Sequence, residues 1–154
     1  MLNTAKYCYH SQDRNIQALE GIKVLVVDDD QDSLDLASFI LETHGIKVIT
    51  AVSALDALEV IDQFQPQILV SDIAMPNVDG CSLIRKIRQG KSLNRNIVAI
   101  AITALDREEM FDLILKSGFQ ACLTKPFEAD DLIDLIASLH LQKENSVTSK
   151  ASAA

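Results

Sequence analysis

The sequence predicts an α/β domain built on one five-stranded parallel sheet, doubly wound with helices on both faces. Three observations predict it. Short runs rich in Val, Ile and Leu alternate five times with segments of helical apolar spacing. The runs are continuously apolar, as strands covered on both faces must be. Polar residues then collect just past the ends of these runs, where open parallel sheets bind their ligands.

The strand runs are Ile22–Val27, Lys47–Thr50, Gln67–Ser71, Ile97–Ile102 and Phe119–Thr124. Helical stripes fill the gaps between and after them. The first is Leu34, Ala37, Ile40 and Leu41; the second is Leu55, Leu58, Ile61 and Phe64, with Ser53 as its N-cap. Leu83, Ile84 and Ile87 form the third, and Phe111, Ile114 and Leu115 the fourth. Leu132, Leu135, Ile136 and Leu139 form the fifth. Gly45, Gly90 and Gly118 stand where helices should stop. Polar, aperiodic residues 1–20 read as an arm or linker, residues 21–141 as one domain, and the Ser/Ala/Lys-rich residues 142–154 as a disordered tail.

Composition narrows the function. The apolar share of 48% over 154 residues fits a single globular core. A net charge of −8 argues against a nucleic-acid surface, which needs a basic patch to displace counterions from phosphates. The three cysteines, Cys8, Cys81 and Cys122, are far apart and lack a CxxC pair, so they read as free thiols in a reducing compartment. With no signal-like apolar start and no stretch long enough to span a bilayer, the expected location is the cytoplasm.

The chemistry lies at the strand ends. The first run leads into Asp28, Asp29 and Asp30, the third into Asp72, the fourth into Thr103 and the fifth into Lys125. Each has an ordinary reading alone. An acid after a strand often caps the next helix, and that reading fits Asp30 or Asp32 best. A Thr in a strand is a good strand former, and a Lys is usually solvated. Such residues at four of the five expected strand ends point instead to one shared crevice. Three carboxylates facing one ammonium leave an excess of negative charge that a proton or cation must offset. An all-oxygen donor set without His or Cys selects Mg²⁺, or Mn²⁺, over Zn²⁺.

The motifs VLVVDDD, ILVSDIAMPNVDG, AITA and LTKPF, in that order, resemble the response-regulator receiver domains of bacterial two-component systems. The likeness covers about residues 22–140. It implies the flavodoxin-like, CheY-like arrangement, with Asp72 as phosphoacceptor. It implies Mg²⁺ held by Asp28, Asp29, Asp72 and the backbone carbonyl of Ala74, with Asp29 the direct ligand of the acidic pair. Lys125 would pair with phosphoryl oxygens, and Thr103 would hydrogen-bond the phosphoryl group and switch toward it. The Lys125–Pro126 bond would be cis.

Two positions depart from the family's pattern. The aromatic switch residue three before the site lysine is Cys122, too small to swing a ring. Ala74 and Leu105 are apolar where the family flanks the hydrolytic water, which implies a long phosphoryl lifetime.

The partners so implied are a histidine kinase or histidine phosphotransfer protein and a downstream protein target. The face of helix four, strand five and helix five also serves as a candidate homodimer surface. Neither nucleic acid nor membrane is expected, and the only catalysis is of the domain's own phosphorylation and dephosphorylation. Two alternatives compete. Asp28-x-Asp30, Thr103, Lys125 and Asp130–Asp131 loosely match haloacid-dehalogenase-type phosphatases, although Asp32 replaces the usual Thr or Val and Asp72 is left unexplained. A pseudo-receiver, a binding module that is never phosphorylated, is weakened by the full set of acceptor-site residues.

Overall fold

The computed structural model describes residues 19–105 and 107–152. Five strands, β1 (Lys23–Val27), β2 (Lys47–Ala51), β3 (Ile68–Asp72), β4 (Val98–Thr103) and β5 (Ala121–Thr124), form one sheet. All pairings are parallel, in the order β2-β1-β3-β4-β5. Helices α1 (Gln31–Glu42), α2 (Ala54–Phe64), α3 (Gly80–Gln89), α4 (Glu108–Ser117) and α5 (Ala129–Ser152) follow the strands in turn. Each expected strand and helix is present.

Strand alternation divides the core into two layers. Val24, Val26, Ile68, Val70 and Ile100 pack beneath α1 and α5. Leu25, Val27, Leu69, Ala99 and Ala101 pack beneath α2, α3 and α4. The order of the chain through the sheet reverses between β1 and β3, so the crevice of the fold opens between their carboxyl ends.

Local signals set the helix boundaries. Ser53 accepts from the Asp56 N–H and caps α2, as its sequence position predicts. Asp30 caps α1 by accepting from the Ser33 N–H, and Asp79 caps α3 through Ser82. Gly118 ends α4 at φ 127°, a backbone geometry that L side chains rarely adopt.

Three expectations are corrected by packing. The buried line of α2 is Ala54, Ala57 and Ile61, while Leu55 is 57% exposed and Leu58 and Phe64 are half-buried. The two faces share Ile61, so the helix is turned by only a fraction of one residue step from the expected stripe, and its alanines let the helix approach the sheet beside Ala51. The domain also begins earlier than residue 21, because Leu19 is buried in the core and the Gly21 N–H bonds to the Gly45 carbonyl. The rest of the expected arm, residues 1–18, lies outside the described residues. Finally, α5 does not stop at 141 but runs through Ser152. No Gly or Pro interrupts it, His140 pairs with Glu144 one turn on, and the Lys143 ammonium reaches the Asn96 carbonyl. Among the described residues, no helix is long and apolar enough to cross a membrane.

Candidate functional site

The crevice gathers the residues expected at the strand ends. Asp28 follows β1, where its N–H still bonds to the Ala51 carbonyl of β2. Its side chain is buried, and its Oδ1 accepts from the Asp30 N–H at 2.9 Å. Asp29 next to it is exposed. Asp30 faces the helix instead: the Ser33 hydroxyl bonds its carboxylate and holds its pKa below the usual value. The cap reading of Asp30 is therefore the right one.

Asp72 ends β3, with 8% of its surface exposed. Its Oδ1 accepts from the Ile73 N–H at 3.0 Å. One carboxylate oxygen from each of Asp28, Asp29 and Asp72 lies within 4.8 Å of the others. Lys125, after β5, brings its ammonium 3.4 Å from Asp28 Oδ2 and 3.8 Å from Asp72 Oδ1. The peptide bond from Lys125 to Pro126 is cis, and the Lys125 N–H bonds to the Thr103 carbonyl.

Burial holds the Asp72 carboxyl above the ordinary aspartate range, and the Asp28 carboxylate adds to this. Lys125 and the Ile73 N–H oppose the rise, while Asp29 reinforces it. The cluster thus carries uncompensated negative charge on hard oxygen donors, one of them solvent-facing. That chemistry fits a hard divalent cation.

Thr103, at the end of β4, is buried, and its hydroxyl accepts from the Leu105 N–H at 3.1 Å. Ala74 is exposed on the loop after Asp72, and Asn77 turns that loop at φ 68°, which Asn tolerates better than most residues. Cys122 is buried on β5, where burial and then Cys81 push its thiol up to about 12. Phe119, also buried, is a core residue. Asp131 accepts from the Glu128 N–H at the start of α5, a local cap that needs no phosphatase loop to explain it.

Two residues here escaped the sequence reading. Gly80 opens α3 against the end of β3, where a Cβ would overlap the Asp72 carbonyl oxygen and meet Ile73 Cα at 3.0 Å. Ser71 is fully buried and donates to the same carbonyl at 2.9 Å. The available signals were the glycine closing MPNVDG and a hydroxyl at an inward strand position.

The fold and its acidic crevice define a CheY-like α/β domain. The response regulator receiver domain model matches residues 24–137, and the chain belongs to that family. It is 43% identical over 121 residues to an uncharacterised 14.6 kDa protein of Leptolyngbya boryana, covering 79% of this chain and 92% of that one. It is 34% identical over 120 residues to the sensor histidine kinase RcsC of Escherichia coli, covering 78% of this chain but only 12% of the kinase. Among solved structures, a Francisella response regulator receiver domain shares 35% identity at TM-score 0.74, over 80% of this chain and 99% of that one. A CheY-like receiver domain protein of Methanospirillum hungatei shares 28% identity at TM-score 0.75, over 82% and 99%.

Proposed function

We propose that this receiver accepts a phosphoryl group onto Asp72 from a phosphohistidine of a histidine kinase or histidine phosphotransfer protein. One observation carries the proposal: a nearly buried carboxylate at the sheet's switch point, with two further carboxylates within 4.8 Å and an ammonium at 3.8 Å. Such a site holds a nucleophile and counter-charge in register for phosphoryl transfer, which needs mainly positioning and electrostatic stabilisation.

Oδ1 of Asp72 is occupied by the Ile73 N–H, and Oδ2 has no hydrogen-bond donor among the described residues. Oδ2 is therefore the attacking atom. Its lone pair forms the new O–P bond as the P–N bond to the imidazole breaks, and that bonding pair leaves on the imidazole nitrogen. Lys125 offsets charge on the phosphoryl oxygens. Asp28, Asp29, Asp72 and the Ala74 carbonyl would hold Mg²⁺, which when bound neutralises charge on the carboxylates and the incoming group. The Thr103 hydroxyl, now an acceptor from Leu105, can also donate to a phosphoryl oxygen. That exchange would carry the state of the site to α4 and β5.

The output on this reading is a protein surface, including a homodimer surface on α4, β5 and α5, in a cytoplasmic protein that modifies only itself. The test is intact mass after incubation with acetyl phosphate and Mg²⁺. Wild type should gain one phosphoryl group and Asp72→Asn none. An adduct that persists in Asp72→Asn would refute the assignment.

A further inference from the structure

Ser71 is a hydroxyl in a layer that is otherwise apolar. Its cross-strand neighbours are Val27 on β1 and Ala101 on β4, both buried in the layer beneath α2, α3 and α4. No surface of Ser71 is exposed. A buried hydroxyl costs free energy unless it is bonded, and alanine or valine would satisfy this position by packing alone. The hydroxyl instead donates to the main-chain carbonyl of Asp72 at 2.9 Å.

That carbonyl belongs to the peptide unit joining Asp72 to Ile73. The other end of the same unit, the Ile73 N–H, is shared between the Ile102 carbonyl at 3.1 Å and Asp72 Oδ1 at 3.0 Å. One peptide plane is thus held at its oxygen by Ser71 and at its nitrogen by β4, and it grips one carboxylate oxygen of its own residue. The ladder with β1 ends at the Val27–Ser71 pair, so Asp72 lies beyond it. Gly80 packs onto the same carbonyl from α3, where a side chain would not fit, and its N–H bonds to the Ile73 carbonyl.

We infer that Ser71 is a positioning residue for phosphoryl transfer, its hydroxyl fixing the peptide plane that holds Oδ1 and presents Oδ2. The inference rests on the acceptor reading of Asp72. Without the Ser71 hydroxyl the plane can tilt, the Ile73 N–H leaves Oδ1, and the carboxylate rotates out of line. Small displacements of a reacting group are costly because in-line attack depends on its orientation.

Three variants test it: Ser71→Ala, Ser71→Thr, and Ser71→Cys, which keeps the size but weakens the donor. Each is followed by intact mass with acetyl phosphate and Mg²⁺, by Mg²⁺ titration, and by the amide spectrum of labelled protein. Ser71→Ala should lower the maximal phosphorylation rate about tenfold, with Mg²⁺ affinity held within a factor of about two. The Ile73 amide resonance should move, while those of Ile68 and Leu69 in the same strand stay in place. Ser71→Cys should fall between alanine and wild type, and Ser71→Thr should restore both rate and resonance. Folding is checked by melting, and the cysteine variant carries the test if alanine fails to fold. A folded Ser71→Ala with wild-type maximal rate, or with an unmoved Ile73 resonance, overturns the inference. Absence of any adduct on wild type would sink the acceptor reading instead, and the Ile73 resonance would still decide whether Ser71 orients the peptide plane.

Discussion

The Lys125 ammonium stands 3.4 Å from Asp28 Oδ2 across 97 residues of chain. It is nearer to Asp28 than to Asp72, at 3.8 Å. The lysine therefore bridges Asp28 and Asp72. It lowers the cost of gathering three carboxylates without cancelling it, since Asp72 still titrates above its ordinary value.

That residual cost makes stability depend on pH. The folded protein binds the Asp72 proton more tightly than the unfolded chain does. The stabilisation is present below the ordinary value of 3.8 and is lost as pH rises through the folded pKa. In metal-free buffer at pH 7.5, Asp72→Asn should melt above wild type, by about 3 °C per kcal/mol relieved. The gap should close as pH falls toward 3.8. Thermal melts in chelator across this range measure it, and a wild type that melts higher at pH 7.5 contradicts it.

Mg²⁺ should stabilise the domain, because the native state alone gathers Asp28, Asp29 and Asp72. At a hundred times the dissociation constant, mass action gives about 2.7 kcal/mol. Asp29→Ala, which removes the exposed carboxylate of the cluster, should keep its fold and lose most of the Mg²⁺-dependent rise in melting temperature. Equal shifts in variant and wild type would remove Asp29 from the metal site.

Gly80→Ala should destabilise the protein by about 1–3 kcal/mol, the usual cost of overpacking. Its Cβ would meet backbone atoms of Asp72 and Ile73, which cannot move aside as a side-chain tip can. The loss should appear as a lower urea midpoint with an unchanged slope. An unchanged midpoint would mean that α3 can shift without strain.

The Cys122 thiol should be inert while the protein is folded. Burial and Cys81 raise its pKa to about 12, which leaves little thiolate at pH 8. In a Cys8→Ser, Cys81→Ala background, a dithiobis reagent should label Cys122 only on unfolding in denaturant. Rapid labelling in native buffer would show that β5 opens.

The lifetime of the phosphorylated state should respond to Ala74 and Leu105. Ala74 is exposed and Leu105 is 46% exposed, both on the loops that border the crevice. Neither side chain can orient a water, so Ala74→Asn with Leu105→Gln should speed phosphate loss. An unchanged rate, followed by mass in the absence of a kinase, would remove both positions from control of water.

The sequence by itself determined the five βα units, the Ser53 cap and the meeting of Asp28, Asp29, Asp72, Thr103 and Lys125 at one edge. These follow from local causes. Apolar runs mark buried strands, helical spacing marks the segments between them, and consecutive parallel strands carry their carboxyl ends to the same side. The sequence left the cap of α1 open between Asp30 and Asp32, and only the tertiary structure gave it to Asp30, whose carboxylate accepts from the Ser33 N–H. The tertiary structure also decided that α2 buries Ala54 and Ala57 rather than Leu55. Apolar content identifies a helix, but the closeness its neighbours allow sets the helix's rotation. The contact of Lys143 on α5 with the distant Asn96 carbonyl is one that no local pattern shows. For Ser71 the strand position was legible and the partner was not. A hydroxyl's role is set by which acceptor it meets, and here that acceptor is placed by β4 on one side and by Gly80 on the other.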